Sequence, residues 1–154
     1  MRTIEGTSYV AGLRVAVVVS RYNDFVTDRL QSGAVAALAH AGVPSEKITI
    51  LKVPGAFEIP FASLQAARTG HYDAIVCLGC LIRGATAHFE YIASAVSHGI
   101  TTASAQTGIP MSFGVLTTNS VEEAIERAGE GPGNKGWEAA MAAVELAAVI
   151  AQLK

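Results

Sequence analysis

Three side chains within six residues, Arg83, Thr86 and His88, could bind an anion and move a proton beside it. They follow a run of nine almost wholly apolar residues, Ala74 to Ile82, and precede a helical pattern carrying Glu90 and Tyr91. A guanidinium and a hydroxyl next to the fresh amides of a helix start suit a phosphate or carboxylate. An imidazole can take and give protons near neutral pH. The apolar run, closed by a Gly-containing turn, has the pattern of a strand buried on both faces. In open parallel α/β sheets ligands bind where such a strand hands over to its helix.

The elements that must hold this cluster can be traced along the chain. Met1 to Gly12 is polar-mixed and reads as an extended arm that could add to the edge of a neighbouring sheet. Arg14–Ser20 is a first strand rich in β-branched residues. Asn23 or Asp24 can cap a helix running to about Ala41, with Phe25, Leu30, Ala34, Ala37, Leu38 and Ala41 as its buried stripe. Ile48–Val53 is a second strand. Pro60 is tolerated only in a first helical turn, which starts the next helix near Phe57 and carries it to Arg68.

The third strand and its helix form the stretch described above. That helix is expected to end at His98-Gly99, with 100–110 as a polar connection. Met111–Leu116 is a fourth strand. Ser120 and Glu123 form a capping box for a short helix ending at Gly129. After a Gly/Pro linker, Lys135–Leu153 is a final helix, apolar both at Trp137, Met141, Val144 and Ala148 and at Leu146, Val149, Ile150 and Leu153. Two apolar faces imply two partners, its own sheet and another subunit. The order, strand then helix four times with one extra helix, predicts an α/β fold with helices on both faces of a four-stranded parallel sheet, in one domain spanning 1–154.

Composition narrows the function. Hydrophobic residues make up 51% and charged residues only 16%, below the usual quarter, so part of the nominal surface should be covered by other subunits. A net charge of −2 lacks the basic face of a nucleic-acid binder. No secretory h-region opens the sequence, and the apolar run Ala139–Ala151 is interrupted by Glu145 and too short to span a bilayer. The expectation is a soluble cytoplasmic protein that touches neither membrane nor nucleic acid. Cys77 and Cys80 form a C-x-x-C inside the strand pattern, not at a helix start, and no second pair completes a zinc site. They read as buried structural thiols, and no metal site is expected.

Five stretches, SRYN, VPGAFEIP, LGCLIRGATAHFEYIA, FGVLTTNSVEEAIERAG and GNKGWEAAM, together resemble the lumazine synthase family in order and spacing over nearly the whole chain. The resemblance implies a flavodoxin-like three-layer α/β/α sandwich that assembles into pentamers or sixty-subunit shells. It also implies a condensation of an aminopyrimidine, 5-amino-6-(D-ribitylamino)uracil, with a phosphosugar, 3,4-dihydroxy-2-butanone 4-phosphate. The product would be 6,7-dimethyl-8-ribityllumazine, formed without a cofactor in a site between neighbouring subunits.

By the same resemblance His88 matches the proton-transfer histidine and Arg127 the residue that grips the phosphate. Ala85 and Thr86 match the phosphate-binding turn, and Lys135 approaches the same group. Tyr22 stands where the family places a stacking aromatic, often Phe or Trp. Ala56, Phe57 and Glu58 match the segment for the ribityl chain and ring. Cys80, Leu81 and Ile82 match the strand end that reads the ring edge, and Phe113 the aromatic from the adjacent subunit. Taken alone, Arg127 would be read as a cation at a helix C-terminus and Glu58 as a carboxylate at an N-terminus. A non-catalytic flavin- or lumazine-binding or shell-forming relative is the competing function. A flavodoxin-type electron carrier is weaker, since Pro54–Glu58 and Arg127 would have no role in it.

Overall fold

The computed structural model describes residues 1–154. Four strands, β1 (Val15–Ser20), β2 (Ile48–Val53), β3 (Ala74–Ile82) and β4 (Met111–Thr118), form one sheet in the order β2-β1-β3-β4, and every pairing is parallel. Five helices accompany it: α1 (Asp24–His40), α2 (Ile59–Arg68), α3 (His88–Thr107), α4 (Val121–Arg127) and α5 (Lys135–Leu153). The expected three-layer α/β/α sandwich is observed.

Alternation along the strands builds two cores. Val15, Val17 and Val19 of β1 face one layer with Leu30 and Leu38 of α1, Ala124 of α4 and Ala140 and Val144 of α5. Ala16 and Val18 face the other, with Ile59 of α2 and Val96 and Ile100 of α3. All six β1 residues are buried, as a central strand covered on both faces requires.

Small residues set the spacing of the helices. A β-carbon on Gly136 would lie 2.0 Å from the Leu30 carbonyl oxygen, and one on Gly99 would lie 2.7 Å from Pro60 Cβ. These glycines let α5 approach α1 and α3 approach α2. By length and composition α5 could cross a bilayer, yet Ala139, Ala140, Ala143, Val144, Ala147 and Ala148 bury one side of it in the core. Its other side leaves Leu146 and Leu153 exposed, the second apolar face expected from the sequence.

Several expectations need correction. The helix over His88 does not stop at Gly99 but runs to Thr107, where Gly108 takes the left-handed conformation at φ 72°. The stretch 100–107 looks polar because of its Ser and Thr residues. Thr101 and Thr107, however, return their hydroxyls to the carbonyls of Ser97 and Ala103, at 2.9 and 2.7 Å, while Ile100 and Ala103 continue the buried stripe. β4 extends two residues past Leu116. Val26, not Phe25, is buried at the start of α1, and Phe25 remains 46% exposed. The segment before Pro60 forms a single 3₁₀ turn at Ala56–Glu58, and α2 proper begins at Ile59. The N-terminal arm, free of helix and strand, lies along its own α5: Gln152 Nε2 donates to the Glu5 carbonyl at 2.8 Å.

Candidate active site

The strand order reverses between β1 and β3, and the turns that leave β1, β2 and β3 open onto one cleft there. The β1–α1 turn supplies Tyr22 and Asn23, the β2 turn supplies Gly55, Ala56 and Phe57, and β3 with the start of α3 supplies Leu81, Ile82, Thr86 and His88. Its volume is about 380 Å³, at the small end for a ligand pocket. Tyr22 and Phe57 are 72% and 60% exposed, so two aromatic faces stand open beside the imidazole.

The helices that start at this cleft share a feature. α1, α2 and α3 begin at Asn23, Glu58 and Ala87, and none of these residues caps its helix with a side chain. The two helices that begin elsewhere are capped: Ser120 Oγ accepts from the Glu123 amide at 3.1 Å, and Asn134 Oδ1 accepts from the Gly136 and Trp137 amides at 2.7 and 3.1 Å. A missing cap costs a helix about 1 kcal/mol. At α1 and α3 it also leaves leading amides and the positive end of the helix dipole open to an anion, whereas at α2 the Ile59 amide already bonds the Ala56 carbonyl and Pro60 has no N–H. At α3 the only side-chain oxygen near the first amides is Thr86 Oγ1, 3.4 Å from the His88 nitrogen.

Asn23 holds the floor of the cleft. It is the one non-glycine residue with positive φ, at 65°, and its Nδ2 donates to the Cys80 carbonyl at 2.9 Å. The side chain expected to cap α1 is therefore spent on the end of β3. Of the other predicted residues, Glu58, Cys80 and Ala85 do not line the cleft. The Glu58 carboxylate folds back toward Gly55, and Cys80 is buried behind the wall at 2% exposure. Burial pushes the Cys80 thiol up to about 11 and the Cys77 thiol, 3.4 Å from Ser63 Oγ, up to about 12. Both are protonated core groups, as read from the sequence.

Phe113, Arg127 and Lys135 lie elsewhere. They line a second depression of about 390 Å³, over β4 and the start of α5, that shares no residue with the first. There Lys135 Nζ pairs with Glu138 Oε2 at 2.8 Å, and Arg127 NH1 donates to the Glu123 carbonyl at 3.1 Å. The Phe113 ring is 48% exposed.

Arg83 does not serve as the free cation its position suggested. Its Nε donates to Asn119 Oδ1 at 3.0 Å, its NH1 pairs with Glu90, and its guanidinium carbon sits 4.6 Å from the centre of the Phe89 ring. Phe89 and Ile92 join the cleft wall without having been singled out in the sequence, and Asn23, read there only as a helix cap, joins it too. Only Asn23 carried a signal, because Asn tolerates the left-handed conformation at a turn.

These features define a class: an open parallel α/β protein whose ligand cleft sits at the strand carboxyl ends, ringed by uncapped helix starts and containing one histidine and two exposed aromatics. Comparison with known proteins narrows the class. The model of the 6,7-dimethyl-8-ribityllumazine synthase family matches residues 12–151. The 6,7-dimethyl-8-ribityllumazine synthase of Desulfatibacillum aliphaticivorans is 50% identical over 153 residues, covering 99% of both chains. That of Syntrophus aciditrophicus (strain SB) is 48% identical over 149 residues, covering 97% of both. The chain belongs to the 6,7-dimethyl-8-ribityllumazine synthase family.

Proposed function

We propose that this chain condenses 5-amino-6-(D-ribitylamino)uracil with 3,4-dihydroxy-2-butanone 4-phosphate to 6,7-dimethyl-8-ribityllumazine, releasing phosphate and water, in riboflavin biosynthesis. The observation that carries this reading is the placement of His88 and the uncapped start of α3 in one cleft with the exposed rings of Tyr22 and Phe57. The amides at the start of α3 and the Thr86 hydroxyl receive the phosphate, beside Ala85. Tyr22 stacks on the pyrimidine, Ala56 and Phe57 hold the ribityl side, and the strand end Leu81–Ile82 meets the ring edge, with Cys80 behind it and Glu58 turned away toward Gly55.

The reaction joins an amine to a ketone, eliminates phosphate and closes a second carbon–nitrogen bond. Each step moves protons, which His88 gives and takes, an effect typically worth ~10²–10⁴-fold. Holding two substrates in register supplies up to about 7–11 kcal/mol more. That sum needs neither a metal nor an organic cofactor.

The two depressions are halves of one site, joined across a subunit seam. One copy supplies Tyr22, Thr86 and His88, and its neighbour supplies Phe113, Arg127 and Lys135. Arg127 then grips the phosphate from the side opposite the α3 amides, with a guanidinium fork suited to it. Such a heterologous contact closes into a ring, read here as a pentamer. The exposed Leu146, Leu153 and Phe113 supply apolar surface for it. Further assembly of such rings into a closed sixty-subunit shell is the reading that the family resemblance adds. Two unpaired, buried thiols suit a reducing cytoplasm.

The test mixes both substrates with purified protein and follows the lumazine absorbance. Product forming faster than in the protein-free mixture supports the reading. A rate equal to the uncatalysed one, with a flavin bound instead, would favour a non-catalytic relative.

A further inference from the structure

The first turn of α3 carries the imidazole and offers its amides to an anion, yet its N-cap residue, Ala87, has no side chain to cap it, and the one side-chain oxygen at its amides is Thr86 Oγ1, a long 3.4 Å from the His88 nitrogen. A capping Ser, Thr or Asp would order the turn but would occupy the donors the phosphate needs. Something must hold the turn from its flank.

Arg83 meets that need. Its guanidinium uses three directions at once: Nε to Asn119 Oδ1 at 3.0 Å, NH1 to the Glu90 carboxylate, and its face against the Phe89 ring at 4.6 Å. Glu90 and Phe89 flank the turn immediately after His88, and Asn119 belongs to the β4–α4 turn. The Arg83 backbone amide adds a bond to the Thr118 carbonyl at 2.8 Å. The guanidinium also holds the Glu90 carboxyl below its ordinary range. An exposed ion pair by itself contributes little. This hold differs because one planar group is fixed by an amide oxygen, a carboxylate and a ring from two separate turns.

We propose that Arg83 is a positioning residue: it fastens the uncapped first turn of α3, and the His88 imidazole with it, through Asn119, Glu90 and Phe89, leaving the leading amides open to the substrate's phosphate. This rests on the phosphosugar reading of the cleft and assigns to Arg83 a role other than direct binding of the anion.

The experiment uses the assembled protein with Arg83→Ala, Arg83→Lys and Glu90→Gln, measuring kcat, the KM of each substrate and the melting temperature. A loosened turn misplaces both the imidazole and the amides. Arg83→Ala should therefore lower kcat about tenfold and raise the phosphosugar KM, with the aminopyrimidine KM unchanged. Arg83→Lys keeps a charge but lacks the Nε donor and the planar face, so it should lose activity in the same direction. Glu90→Gln should follow with a smaller loss, and added to Arg83→Ala it should cost nothing more. Unchanged kcat and KM values with only a lower melting temperature would overturn the proposal in favour of a structural brace. A phosphosugar KM that falls in Glu90→Gln would overturn it in favour of Arg83 as a direct ligand. Absence of product from the unmodified protein would defeat the cleft reading and this inference together, whereas full turnover by Arg83→Ala defeats the inference alone.

Discussion

Asn23 Nδ2 donates to the Cys80 carbonyl across 2.9 Å, tying the β1–α1 turn to the carboxyl end of β3. Asn23 makes this bond from the left-handed region, at φ 65°, where a side chain with a β-carbon is strained. Asn23→Ala should destabilise the protein by about 1–3 kcal/mol, since it keeps the strain and loses the bond. Asn23→Gly relieves the backbone and should recover part of that loss. Urea midpoints of the two variants measure the split, and equal midpoints would mean that backbone strain contributes nothing there.

Gly99 faces Pro60 at the α2–α3 contact, and a β-carbon there would meet Pro60 Cβ and Cγ at 2.7 and 2.8 Å. Alanine would favour the helix by about 1 kcal/mol, but the proline ring, fixed in the first turn of α2, cannot swing away. Gly99→Ala should therefore destabilise by about 1–3 kcal/mol. Gly133, with open space around it, is the control, and Gly133→Ala should leave the unfolding midpoint unchanged.

Burial raises the Cys77 thiol to about 12 and the Cys80 thiol to about 11. Because the folded values lie above the ordinary one, stability is complete below about pH 8.5 and is lost only as pH climbs toward the folded values. At pH 8 both thiols should resist a disulfide reagent in the native protein, and both should react in denaturant. Rapid native labelling of either would contradict their place in the core.

Asp73 accepts the Arg14 backbone amide at 2.9 Å, Arg14 Nε at 3.1 Å and NH2 at 3.0 Å. This hydrogen-bonded guanidinium holds the Asp73 carboxyl below the usual carboxylate range. The pair's stabilisation is present above the ordinary value of about 3.9 and lost as pH falls through the lowered folded value. Urea midpoints followed from pH 6 to pH 3 should fall less steeply in Asp73→Asn than in the unmodified protein. Identical slopes would remove this pair from the acid response.

The central strand Ala74–Ile82 was legible because burial on both faces leaves an unbroken apolar run, and the edge strand Ile48–Val53, half-buried and broken by Lys52, because of its β-branched residues. Ala74–Ile82 and Ile48–Val53 appear in the structure with the bounds read from sequence. Local signals failed where tertiary context decides. The Ser and Thr residues after Gly99 look like a loop until their hydroxyls find carbonyls one turn back, and Gly99 itself marks a close approach of helices, not a stop. Arg83 looked like an anion's cation because Glu90 and Asn119 lie seven and thirty-six positions away and only folding brings them to it. The cleft around His88 followed from the rule that ligands sit at strand carboxyl ends. The resemblance had set Phe113 apart, in an adjacent subunit, but that Arg127 and Lys135 would share its depression and not the cleft did not follow, since spacing along the chain says nothing of which surface each side chain reaches.

Mixed oligomers test the shared site most directly. On the proposed reading, His88→Ala removes the proton-transfer half and Arg127→Ala the phosphate-gripping half. If each site takes these residues from two neighbouring copies, each variant alone should be nearly inactive. An equal mixture of the two, assembled together, should regain about a quarter of the sites, half times half, because random neighbours restore a complete pair that often. Lumazine formation at about that fraction of the unmodified rate is the predicted result, and a mixture no faster than either variant alone would contradict the account.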